Sequence, residues 1–193
     1  MARIAGVSFI GIAPLTYAEG TGKPQWGDIV ELPQFINFSG SKQMESTTWY
    51  SNDRTEEVFT GVTSVELSIE LGRMTNEVKA MISGSQYTNK GVMVEKTDDV
   101  QPEFALVVVL NQYGSQNGKL CLVYYRCKLA IEEIAGETKT DSLSESNVSI
   151  TGTAIPLADG RLGASIDSLD KTADKSIVEA WTTSVFDSNN AGA

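Results

Sequence analysis

FALVVVLNQYGSQNGKLCLVYYRCKLAIEEI, residues 104–134, decides the fold class of this chain. Ala105–Leu110 is a continuous apolar run, the pattern of a strand covered on both faces. Gly114–Gly118 supplies turn residues, and Lys119–Ile131 returns as a second, longer strand. Along it Cys121, Val123, Tyr125, Cys127, Leu129 and Ile131 are predicted to share one face. Leu122, Tyr124, Arg126 and Lys128 share the other. At a rise of about 3.3 Å per residue, Cys121 and Cys127 would stand roughly 20 Å apart. A disulfide needs Cα atoms within about 7 Å, so both cysteines are expected as packed thiols.

The same period of two appears upstream. Val65, Leu67, Ile69 and Leu71 alternate with Ser64, Glu66, Ser68 and Glu70, which predicts a half-buried strand over Thr63–Leu71. Met74, Val78, Met81 and Ile82 then recur at helical spacing. Gly84 stands where a left-handed helix cap is preferred. A helix of about three turns, near residues 74–83, is therefore expected to pack on the sheet. Further strands are expected over Val7–Tyr17, Asp28–Leu32 and Asn147–Ile155. Turns are expected at Gly20–Lys23, Ser51-Asn52-Asp53 and Asp159-Gly160. Ser176-Ile177-Val178-Glu179 reads as a capping box that opens a short C-terminal helix. Glu132–Ser146 reads as a flexible polar loop, and Ser188–Ala193 as a disordered end.

Phe35–Tyr50 is extended in character yet mostly polar. It predicts an arm that projects from the body, because a strand this polar does not belong in a core. A long exposed strand is a hazard unless a partner covers it.

The totals exclude several functions. The chain has 193 residues, enough for one domain with a core. It carries 15 basic and 25 acidic residues, a net charge of −10. That balance opposes non-specific grip on DNA or an anionic membrane. No histidine is present, which removes Ser-His-Asp and Cys-His catalysis and the commonest metal ligand. The apolar opening Ile4–Pro14 is interrupted by glycines and too short to span a bilayer, so cytoplasmic synthesis is expected. Gly20-Thr21-Gly22-Lys23 lacks phosphate-loop spacing and meets Pro24 where a helix should begin. Asp170–Lys175 lacks calcium-loop spacing. Asn147-Val148-Ser149 fits a glycosylation triplet, which has no meaning in a chain that is not exported. The acid pairs Glu56-Glu57, Asp98-Asp99 and Glu132-Glu133 are expected to be solvated. The aromatics Trp49, Tyr50, Tyr124, Tyr125 and Trp181 are expected in core and interface packing, the alternative being a stacking platform. No enzyme activity, cofactor or metal is expected.

The order and spacing of several segments resemble the major tail proteins of long, non-contractile-tailed bacteriophages, the phi13/TP901-1 type. The matching segments are Phe9-Ile10-Gly11-Ile12-Ala13-Pro14-Leu15-Thr16, Leu32-Pro33 and Glu45–Asp53. They continue with Gly61–Leu71 and the Met74–Gly84 helix, Phe104-Ala105-Leu106, Leu122–Lys128, Ile155-Pro156-Leu157 and Ala158-Asp159-Gly160-Arg161. The resemblance implies a mainly-β (α+β) tail-tube fold: a β-sandwich or small barrel flanked by one helix, with an extended hairpin arm and a short C-terminal helix. It implies a tail-tube domain over 1–166, with the arm at 35–54, and a C-terminal extension over 167–193. It implies hexameric rings stacked into a hollow tube in the virion, through which DNA leaves without specific binding. Tape-measure, tail-tip and tail-terminator proteins are the implied partners. Within the arm, Met44, Glu45, Trp49, Tyr50 and Asp53 are the candidate self-assembly residues, and Asp159, Gly160 and Arg161 a candidate turn. The alternatives are a tube subunit of a phage-tail-like bacteriocin or secretion apparatus, and a carbohydrate-binding β-sandwich.

Overall fold

The computed structural model describes residues 2–51, 54–88, 90–133 and 147–188; for 47–51, 54–60 and 133 it gives only the backbone path. The elements in chain order are β1 (Arg3–Tyr17), β2 (Pro24–Trp26), β3 (Val30–Glu31), β4 (Phe35–Ser51), β5 (Arg54–Leu71), α1 (Asn76–Ser83), β6 (Gln86–Tyr87), β7 (Met93–Val94), β8 (Phe104–Tyr113), β9 (Gly118–Glu133), β10 (Val148–Ala154), β11 (Gly163–Asp167) and α2 (Lys175–Ala180). Nine strands form one antiparallel sheet along the path β2-β1-β8-β9-β10-β5-β4, with β3 added to β1 and β11 to β9. β6 and β7 make a separate small ribbon. The class is mainly β, as expected. The sheet is open, however: among the described residues its two ends do not pair, so it is not a closed barrel.

β8 is the central strand. Every side chain from Phe104 to Val109 is buried, as its unbroken apolar run predicts. Alternation sends Phe104, Leu106 and Val108 into one core cluster and Val107 and Val109 into a second on the opposite face. The first cluster also takes Ile10 and Ile12 from β1, the β5 row Val65, Leu67, Ile69 and Leu71, and Ile150 and Ala154 from β10. The β10-β5-β4 limb thus faces the β1-β8 limb across this core. The second cluster is closed by Leu157 and Trp181, with Trp26 and Ile29 partly buried against it.

β9 joins the limbs, and here one expectation fails. Its odd-numbered residues from Cys121 to Leu129 are all buried, but not against one core. Cys121, Val123 and Tyr125 belong to the second cluster, whereas Cys127 and Leu129 belong to the first. The cause is a bulge. Leu106 pairs with Tyr124 and Phe104 with Cys127, so three steps along β9 match two along β8. The extra residue flips the faces and bends the strand. β9 can then pair with β11 over Leu120–Tyr124 and with β10 over Cys127–Glu133.

The cysteines are free thiols, as predicted, on different faces. Burial raises the pKa of both, and for Cys127 it does so to about 12. The thiolate is the reactive form. Neither cysteine should therefore react with a thiol reagent at pH 8 until the chain is unfolded in denaturant. Rapid stoichiometric labelling of the native protein would contradict this packing.

α1 is shorter than expected, eight residues capped at its start by Thr75, whose hydroxyl accepts the Val78 amide. Met74 is buried but precedes the helix, while Val78 and Ile82 bury the predicted stripe. Gly84 takes the left-handed cap conformation. The start of α2 is also displaced from the expected position. Asp174, not Ser176, is the N-cap, and its carboxylate accepts both the amide and the hydroxyl of Ser176. A carboxylate at a helix start gains from the dipole as well as the hydrogen bonds, which a serine hydroxyl does less well. β2 was not anticipated, because Pro24 marks a turn in sequence. It pairs through Tyr17↔Pro24 and Leu15↔Trp26.

Candidate assembly surface

The β9-β10-β5-β4 limb buries one face and leaves the other open. On the open face the residues fall into rows across the strands. Ala130, Thr151, Ser68 and Ser39 form one row; Lys128, Thr153, Glu66 and Ser41 form the next. Glu70 pairs with Asn37 on the same face, and Glu132 accepts a hydrogen bond from the Thr151 hydroxyl at 3.1 Å. Small hydroxyl side chains keep this surface low. Its charged groups are Glu66, Glu70 and Glu132 against Lys128. Period-two alternation makes the face inevitable: each apolar residue committed to the core sends its neighbour outward.

β4 and β5 continue beyond the body as the arm. β10 supports β5 only as far as the Val65↔Ala154 pair. From there the ladder runs on as two strands alone, from Met44↔Val62 to Ser51↔Arg54. An extra residue, Thr63, lies at this point, between the Gln43↔Ser64 and Met44↔Val62 pairs. At about 3.4 Å per residue the eight residues Met44–Ser51 carry the ribbon roughly 27 Å outward. Met44 and Val62, directly opposite each other, are 60% and 37% exposed. Glu45 is exposed as well. Trp49 and Tyr50 lie on the ribbon near its tip, their side chains not described, and Asp53 and the predicted turn with Asn52 lie outside the described residues. The expected polar arm is thus a paired hairpin. β4 is the last strand in the sheet path, so its outer edge has no strand partner among the described residues.

Asp159, Gly160 and Arg161 form a tight turn in which Gly160 has φ of 84°. The Gly160 amide donates to the Leu157 carbonyl at 2.9 Å, and the Leu157 amide to the Arg161 carbonyl at 2.8 Å. Sequence does not show what Arg161 does next. Its guanidinium pairs with Asp159 at 2.7 Å, with Asp187 near the C-terminus, and lies 5.3 Å over the Tyr125 ring. The turn thereby clasps the segment that carries Trp181. The Arg161 amide and guanidinium hold the Asp159 carboxyl below its usual range. A lowered folded pKa means the clasp contributes above about pH 4 and is lost as pH falls further. A Cβ added at Gly160 meets no atom within 4 Å, so the cost expected of Gly160→Val is backbone strain. It should lower stability by about 1–2 kcal/mol and Tm by roughly 5 °C, measured by thermal melt; an unchanged Tm would contradict the strained turn.

The remaining sequence features are structural. The Gly20–Lys23 segment is a turn, closed by the Ala18 amide on the Lys23 carbonyl at 2.9 Å. Asp99 accepts the Lys96 amide at 2.9 Å, and Asp98 is exposed. The side chains of Glu56 and Glu57 lie outside the described ones. Tyr125 and Trp181 are buried and Tyr124 is half-buried, so these three make no exposed stacking platform. Two tryptophans hold β9: partly buried Trp26 donates to the Tyr125 carbonyl at 3.0 Å and buried Trp181 to the Leu122 carbonyl at 3.2 Å. Arg126 and Glu103 form a paired, partly buried bridge at 2.8 Å that sequence gave no means of pairing. Among the described residues no cluster of potential ligands could hold a metal. Among the described residues no helix is long and apolar enough to cross a membrane. No known family profile matches the chain, and neither does any curated protein.

Proposed function

We propose that this chain is the structural subunit of a bacteriophage tail tube, closing into hexameric rings that stack into a hollow conduit for DNA ejection. The observation that carries the proposal is the arm: a two-stranded ribbon with an open outer edge, projecting from a well-packed body. A lone hairpin is marginal in water, and an open edge invites a further strand. Both features make sense where neighbouring copies cover them. Closure of a ring removes every edge in it.

The open face of the limb fits the wall of such a conduit. Its hydroxyls and net acidic charge offer DNA phosphates no counterion to displace, so the polymer passes without being held. The work is geometric and requires no catalysis. Tape-measure, tail-tip and tail-terminator proteins complete the assembly in the virion.

Sedimentation velocity over a concentration series tests this. The 20.8 kDa chain should pass to ring-sized and then fast-sedimenting polymer as concentration rises or when tail-tip proteins are added. A chain with an intact arm that stays monomeric under both conditions would count against it.

A further inference from the structure

The chain beyond β11 turns back across the second core cluster and is fastened there by side chains. It supplies Trp181, which is 2% exposed, and partly buried Ile177, Val178, Val185 and Phe186. The first cluster takes no described residue from it. Between 170 and 184 the backbone amides that bond find acceptors no farther off than Asp167: Asp170 on Asp167, Ala173 on Asp170, Val178 on Asp174, and Thr183 and Ser184 on Ala180. Side chains make the hydrogen bonds that reach the body. The Trp181 indole donates to the Leu122 carbonyl at 3.2 Å. The Arg161 guanidinium grips Asp187 and donates to the Ser188 hydroxyl at 3.3 Å. Phe186 stacks on Trp181 with ring centroids 5.3 Å apart, so plug and clasp act on one short piece of chain.

A segment with few buried side chains and no ladder to its neighbours opens at lower free energy than the sheet beneath it. We propose that residues 170–188 form a strap that opens as one unit while the sheet stays folded, and that Arg161 is the catch that keeps it shut. Closed, the strap covers the second cluster. Open, it uncovers part of that cluster, Cys121 included, and leaves the first cluster packed. Arg161 suits the task because it stands on the body. Its turn is tied to β9 by the Tyr125 amide, which donates to the Leu162 carbonyl at 3.1 Å. Asp159, at 2.7 Å, and the Tyr125 ring, at 5.3 Å, keep the guanidinium in place when Asp187 leaves. The catch is therefore set before the strap returns. The β10-β5-β4 limb draws on the first cluster, so opening leaves it unchanged, and the inference does not depend on the tube-subunit proposal.

Two experiments on the full chain test it. The first uses the cysteines as separate reporters, since Cys121 belongs to the second cluster and Cys127 to the first. Trypsin places them on different peptides, Leu120–Arg126 and Cys127-Lys128. The wild type, Arg161→Gln and Trp181→Ala are treated natively with N-ethylmaleimide at pH 8 and mapped by mass spectrometry. In each variant Cys121 should be labelled at least about tenfold faster than in the wild type, the factor for losing a hydrogen-bonded charge pair or a buried aromatic plug. Cys127 should stay as slow as in the wild type. Both cysteines quickening together would mean that the sheet opens with the strap, and would overturn the proposal. A folded Arg161→Gln chain with Cys121 unchanged would overturn the catch. The second experiment needs no variant. In hydrogen exchange on the wild type, corrected for intrinsic rates, the amides of Val178, Thr183 and Ser184 should exchange at least about tenfold faster than those of Val107 and Val109. Equal protection of the two sets would overturn the strap as a separable unit.

Discussion

Replacing residues 45–61 by a two-residue Asn-Gly turn is expected to leave a folded, soluble protein that no longer forms rings or tubes. The excision removes the outer ribbon and keeps the Gln43↔Ser64 pair at its base. Among the described side chains, none of the first core cluster lies between 45 and 61; its β5 members begin at Val65. β10 supports β5 only as far as Val65, so the ribbon beyond it lies outside that ladder. Tm should shift by no more than a few degrees, since the excision takes no described core residue. Assembly should fall below detection by pelleting and microscopy, since the contacts made by the arm are lost together. Asn-Gly suits the tight hairpin turn that must close the shortened ladder. Normal tubes from the shortened chain would remove the arm from the account.

The second large effect is on folding. Gly84→Ala should destabilise the protein by about 3 kcal/mol or more, lowering Tm by roughly 10 °C. Two costs add. Gly84 sits at φ of 75°, where any Cβ is strained. An added Cβ would also lie 2.1 Å from the Val100 carbonyl oxygen. That neighbour is backbone and cannot rotate away. The cap and the Val100–Gln101 segment must separate, loosening α1 from the edge of β9. A variant as stable as wild type would mean that the cap and this segment do not meet as described.

How much of this could be read from sequence depended on whether the signal was local. The apolar run of β8, the alternation of β5 and the stop at Gly84 are set by neighbouring residues, and each was legible. The bulge in β9 was not. It has no glycine and no break in alternation, and the odd-numbered residues stay buried through it because cores lie on both sides. The choice of Asp174 over Ser176 as cap separated two good capping residues only two positions apart. The arm was visible as a polar extended segment, but its partner shows period-two alternation only from Thr63 on, so the Arg54–Val62 part of the pairing was not legible. Arg161 was visible as part of a turn, yet its partners Asp187 and Tyr125 lie 26 and 36 positions away in sequence.

Electron microscopy of the purified, concentrated full chain, alone and with tail-tip proteins added, bears most directly on the central claim. Hollow tubes or six-fold rings are the predicted result. Small discrete particles under both conditions, from a chain with its arm intact, would contradict it.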